Sequence, residues 1–221
     1  MKCYSMHEYL NYGLEINLGI AVDFTASNGN PLKDKSLHYC NGVLDNYYEK
    51  AIKICTKIAL QYDRDGKFPF YGYGAILPGE TKVSHCFNMT LSDKDEINGI
   101  EECIEVYRRN LLKITFKCPT YLTPVLKEFM KYIKSKMSDI RIYGTLLILT
   151  DGNTNDHDDF IDCLVEASYL PLSIIIIGVG KANFKMHNIF DADNSSLKDR
   201  NGKNALRDIV NFVPFEEYRN V

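Results

Sequence analysis

Two uninterrupted apolar runs, Tyr143–Thr150 (YGTLLILT) and Leu172–Val179 (LSIIIIGV), constrain this 221-residue chain more than any other feature. Each is strand length, and its apolar residues are successive, not alternate, so both faces of the strand must be covered. A third run, Ile16–Phe24 (INLGIAVDF), stops at a carboxylate and a cluster of small residues. Helical spacing recurs between them: at Leu44, Tyr48, Ala51, Ile52, Cys55, Ile58, Ala59 and Tyr62 with Asp45 or Asn46 as N-cap; at Ile97, Ile100, Ile104, Tyr107 and Leu111; and at Val125, Leu126, Phe129, Met130, Ile133 and Met137 behind Thr123-Pro124. A fourth helix is expected around Phe160–Tyr169. Phe68–Ile76 and Val83–Leu91 read as strands joined at Pro78-Gly79, the one hairpin signal, and Ile209–Phe215 as a last strand. The fold expected is α/β: a doubly wound, mostly parallel sheet, helices on both faces, and one antiparallel edge hairpin.

Composition excludes several functions. Lys and Arg number 26 against 29 Asp and Glu, a net charge of −3, and no dense basic tract offers a footprint for nucleic acid or anionic lipid. The longest apolar stretch, Leu170–Val179, is broken by Pro171 and Ser173 and is too short to span a bilayer. The start, Met1–Glu8, lacks the apolar core of a secretory signal, so a cytoplasmic location is expected. Cys3, Cys40, Cys55, Cys86, Cys103, Cys118 and Cys163 are scattered singly without a CxxC pair, which suits reduced, mostly core thiols and no zinc. No repeat or linker divides the chain, so residues 1–221 are expected to form one domain. Asp191–Lys203 is polar and acidic, but Ser196 stands where a calcium loop needs glycine, and it reads as a surface loop.

In an open parallel sheet, ligands bind beyond the carboxyl ends of the strands. Two such ends carry acids: Asp23-Phe24-Thr25-Ala26-Ser27 and Thr150-Asp151-Gly152. Alternate positions along an extended turn point one way, so Asp23, Thr25 and Ser27 would converge as an oxygen nest. Hard oxygens with few carboxylates suit Mg²⁺ better than Ca²⁺. Taken alone, the same residues would serve equally to satisfy the N–H groups of a turn.

The stretch Ala21–Pro31 (AVDFTASNGNP), with Ser36-Leu37-His38-Tyr39, resembles the copine version of the von Willebrand factor A domain. The likeness continues through Phe70–Ala75, Val83-Ser84-His85, Leu146–Gly152, Ser173–Gly180 and Arg207–Phe215. The resemblance implies a metal-ion-dependent adhesion site of Asp23, Thr25, Ser27, Thr120 (within Cys118-Pro119-Thr120-Tyr121) and Asp151, holding Mg²⁺ or Mn²⁺. It implies no catalysis: the cation would take an acidic side chain from an intracellular protein partner. Copines also carry two C2 domains for calcium-dependent phospholipid binding, which these residues do not encode, so direct membrane contact is not expected here. The helix that closes such domains is expected to be missing or truncated. Plant relatives join this domain to a RING finger as the substrate-binding part of a ubiquitin ligase. A Mg²⁺-dependent phosphotransferase of the haloacid-dehalogenase type is the rival from another class, but it needs an acid where Thr25 stands. His7, His38, His85, His157 and His187 share no spacing and read as structural or surface residues; the acids around His157 read as a solvated helix start, with a place at the metal rim as the alternative.

Overall fold

The computed structural model describes residues 11–63, 65–137, 141–182, 184–185, 187–191 and 196–218. Cys3, His7 and the start of the chain lie outside them. Five strands run parallel: β1 (Glu15–Asp23), β2 (Lys67–Tyr73), β8 (Ile142–Thr150), β9 (Leu172–Gly178) and β10 (Val210–Pro214). Their order is β10-β9-β8-β1-β2, and two short antiparallel strands, β5 (Phe87–Asn88) and β6 (Glu96–Asn98), close the far edge against β2. Ala75–Ile76 (β3), Val83–Ser84 (β4) and Thr115–Phe116 (β7) make a separate three-stranded sheet, which contains the hairpin foreseen at Pro78-Gly79.

The apolar runs are covered on both sides, as their composition demands. Leu18, Ile20 and Val22 of β1 pack with Tyr48 and Ile52 of α1 (Tyr47–Ala59) and with Val106 and Tyr107 of α2 (Gly99–Leu111). The alternate residue Ala21 faces Phe129 and Ile133 of α3 (Thr123–Lys136) and Phe160 and Leu164 of α4 (His157–Ala167). Gly19 and Gly144 lie on that second face, where a Cβ would stand 2.5 Å from Phe129 and 2.7 Å from Ile133. Two bare backbones thus let α3 sit close to the sheet. Of the two caps foreseen for α1, Asn46 is the one used: it accepts from the Glu49 N–H at 3.0 Å while Glu49 accepts from its own N–H at 2.8 Å.

Three sequence expectations shift. Ile97 is a strand residue, because Gly99 at φ 74° turns the chain before α2 starts. The run Phe68–Ile76 breaks at Gly74, whose φ of 76° no β-branched residue tolerates, and Val83–Leu91 resolves into two short strands. Asp156 does not belong to a solvated acid run: its carboxylate caps α3, accepting from Leu122 N at 3.1 Å and Thr123 N at 2.8 Å. Four cysteines of the described set, Cys40, Cys55, Cys86 and Cys118, are partly or fully exposed; only Cys103 and Cys163 are buried, and all six are free. After β10 the chain enters a short helix, Phe215–Tyr218.

Among the described residues β10 is the open edge. Ile174 of β9 donates to the Ile209 carbonyl at 2.7 Å, so strand alternation aims positions 210, 212 and 214 outward. Val210 N–H is taken by Asp208 Oδ1 at 3.1 Å, Phe212 N–H by Asp191 Oδ2 at 2.9 Å, and Pro214 has none.

Candidate metal centre

Pairing in register brings the two acidic strand ends together. Val22 lies opposite Leu149, so Asp23 meets Thr150 at the rim, and Asp151 follows. Thr150 Oγ1 donates to Asp23 Oδ2 at 2.8 Å, and Thr25 donates to Asp23 Oδ1 through its N–H at 2.8 Å and its hydroxyl at 2.6 Å. Ser27 Oγ donates to Asp151 Oδ1 at 2.9 Å, and the Thr25 and Ser27 hydroxyl oxygens stand 3.0 Å apart. Asp23, Thr25, Ser27 and Asp151 therefore form one connected set across 128 residues of chain, and Thr150, absent from the sequence expectation, joins it.

Thr120 makes no hydrogen bond to this set among the described residues. Its N–H goes to Asn155 Oδ1 at 2.8 Å, and its carbonyl accepts from Asn155 N at 2.8 Å and Thr154 Oγ1 at 3.1 Å. Those bonds stitch the Thr120 turn to the loop that carries Asp151.

The proton count of the site is informative. Three hydroxyls, of Thr25, Ser27 and Thr150, make four side-chain contacts. When both carboxyls are ionised, three protons serve four contacts, so one contact in the chain from Asp23 to Asp151 is left with lone pairs facing lone pairs. Two buried negative charges lie on either side of it. Burial pushes the Asp23 carboxyl above its ordinary range, and burial with the Asp23 charge pushes Asp151 up to about 7. The cluster therefore draws positive charge, which a proton on Asp151 or a cation among the oxygens supplies. Its donors are all oxygen, the set a hard divalent ion takes. Among the described residues no group of three or more His, Cys, Asp or Glu could hold a metal, so a cation here would draw on oxygens besides the two carboxylates, the hydroxyls among them.

Neighbouring side chains fix the two loops. His38 is fully buried and places Nε2 2.7 Å from the Asp23 carbonyl oxygen, which can only accept. Nε2 therefore carries the proton, and Nδ1 accepts the Tyr107 hydroxyl at 2.6 Å, itself reached by Asn46 Nδ2 at 3.1 Å. Stacking against Tyr48 at 3.9 Å completes the cage, and burial lowers the imidazole pKa to about 3, so His38 stays neutral. Tyr48 Oη donates to Asn28 Oδ1 at 2.7 Å, and Asn28 Nδ2 donates to the Thr25 carbonyl at 3.2 Å. The second loop is held the same way: buried His187 donates Nε2–H to the Gly152 carbonyl at 2.8 Å. These histidines were foreseen as structural; no local sequence signal tied either to the site. At Gly74 an added Cβ would lie 2.3 Å from Thr25 Cγ2, so this glycine makes room for the second member of the set. His157 sits outside the set, paired with Asp158 at 3.0 Å.

The fold matches the manganese-loaded TRAP protein of Plasmodium vivax with a TM-score of 0.56 at 12% identity, covering 92% of this chain and 70% of that one. It also matches proximal thread matrix protein 1 of the mussel byssus with a TM-score of 0.52 at 13% identity, covering 93% and 44%. These likenesses establish the von Willebrand factor A fold. In sequence, Copine-A of Dictyostelium discoideum is 40% identical over 98% of this chain, and Copine-E of the same organism 42% over 96%. The chain spans only 36% and 37% of the length of those relatives. The copine family model matches residues 36–221, and with such identity sustained along nearly its whole length the chain belongs to the copine family.

Proposed function

We propose that this domain is a non-enzymatic interaction module that holds Mg²⁺ or Mn²⁺ at Asp23, Thr25, Ser27, Thr120 and Asp151 and through it binds an acidic side chain of an intracellular protein. The observation that carries this reading is a chain of four hydroxyl contacts, served by three protons, that links two buried carboxyls. A bound cation would supply an electrophilic centre open to one more oxygen ligand. The chain's own residues do the rest. Asp23 and Asp151 neutralise part of the ion's charge, while the neutral hydroxyls leave it short of anionic ligands. His38 and His187 hold the loop carbonyls so that the oxygens converge before any ion arrives. Manganese in the Plasmodium TRAP structure, on the same fold, accords with this reading. Calcium-dependent phospholipid binding belongs, in this proposal, to parts of a whole copine beyond this domain.

Mn²⁺ titration followed by electron paramagnetic resonance tests it, using the intact chain and Asp23→Ala. Saturable binding by the parent and at least a tenfold loss in the variant, with an unchanged circular dichroism spectrum, is the expected result. Equal Mn²⁺ binding by both would refute the site.

A further inference from the structure

Beside the site lies an apolar groove of about 420 Å³. Leu111, Ile114 and Phe116 line it from the α2–β7 side, and Ala26, Gly29 and Leu32 from the loop that follows β1. Leu111 is fully buried and Ile114 nearly so, forming a floor, while Leu32 and Leu112 on the rims are 66% and 55% exposed. Two large apolar side chains facing water across one groove are costly unless something covers them.

We infer that this groove receives an apolar side chain of the partner, located two residues from the acid that reaches the metal; the inference rests on the function proposed above. Continuity selects this occupant. Ala26 and Gly29, which line the groove, bracket Ser27 of the site, and Phe116 lies four residues before Thr120. The two walls are tied by the Ala26 N–H to Lys117 carbonyl bond at 3.3 Å. In an extended peptide, side chains i and i+2 point the same way about 7 Å apart, so the residue two positions from the acid is the first to share its face. An engineered cavity of about 150 Å³ admits a benzene ring, so the groove has room for between two and three such groups. The wall loop is braced by Ser36 Oγ on the Asn28 carbonyl at 2.9 Å and by Cys40 N on the Pro31 carbonyl at 3.0 Å, so the groove is formed in advance. Covering one Leu-sized side chain there is worth about tenfold to a hundredfold in affinity.

The test is a library of seven-residue peptides with Asp fixed at the centre and all other positions randomised, selected on the intact chain in Mn²⁺. The expected result is enrichment of Leu, Ile, Met or Phe two positions from the Asp. That preference should vanish in Leu112→Asp and in Leu32→Asp, whose altered side chains are exposed, while both variants still bind Mn²⁺ and still select Asp. Asp selection without any apolar preference, or a preference unchanged in both variants, overturns the groove and leaves the metal site standing. Loss of both Mn²⁺ binding and Asp selection by the parent chain overturns both. Sedimentation showing that the groove is covered by a second copy of the chain, with Leu112→Asp releasing the monomer, overturns the peptide assignment.

Discussion

Replacing Asp151 by Asn separates the electrostatics of the site from its hydrogen bonds. The amide oxygen can still accept from Ser27 Oγ, which lies 2.9 Å from Asp151 Oδ1, so the geometry persists while one negative charge disappears. In the cation-free protein Asp151 titrates near 7, far above the value of about 3.9 for an unfolded chain. A carboxyl whose folded pKa is raised favours the folded state when protonated. Its contribution is therefore intact below the unfolded pKa and is lost as pH climbs from there through about 7. Holding the ionised group folded then costs about 4 kcal/mol at about pH 8 and between about 1 and 2 kcal/mol at about pH 5. Asp151→Asn removes that cost. Urea denaturation in EDTA should find the variant more stable than the parent at the higher pH by up to about 4 kcal/mol, the gain shrinking by about two-thirds at the lower pH. Adding Mg²⁺ should reverse the order at the higher pH, because the ion stabilises only the parent. A variant that is equally destabilised at both pH values would show that Asp151 is held by ordinary hydrogen bonding and that no unbalanced charge exists at the rim.

Gly74→Ala forces a side chain into a left-handed backbone position and against Thr25, and should cost about 2–4 kcal/mol by denaturation while weakening Mn²⁺ binding at least tenfold; unchanged binding would mean that the Thr25 hydroxyl is no ligand. His38→Phe preserves the stack on Tyr48 but strands the Asp23 carbonyl and the Tyr107 hydroxyl, an expected loss of about 2–4 kcal/mol, and amide hydrogen exchange in the Thr25–Gly29 loop should accelerate with it. Stability within about half a kcal/mol of the parent would refute the bracing role of the imidazole.

The central strands were legible because their signal is local: eight or nine consecutive residues that tolerate no water on either face have few other places to go. Asp23, Thr25, Ser27 and Asp151 could be picked out because they stand at the ends of those runs. Thr120 could not, since its position depends on Asn155 reaching back across 35 residues, and only the family likeness pointed to it. Thr150 was hidden by its own strand, in which a β-branched residue is unremarkable until register sets it against Asp23. Ile97 keeps helical spacing with Ile100 and Ile104, but Gly99 lies between them, and the strand partner that claims Ile97, Phe68, is 29 residues earlier. His187 carries no periodic or motif signature, and His38, though inside the family-like Ser36–Tyr39 stretch, shows no role there; their meaning arises from the carbonyls they meet in three dimensions.

The margin of the sheet at β10 limits how molecules can meet. Its outward carbonyls are still able to accept, yet every donor they alternate with is occupied by an aspartate or removed by Pro214, so an incoming backbone would find only half a ladder. Polymerisation by lateral zipping, the common hazard of a sheet with a bare flank, is blocked by three residues.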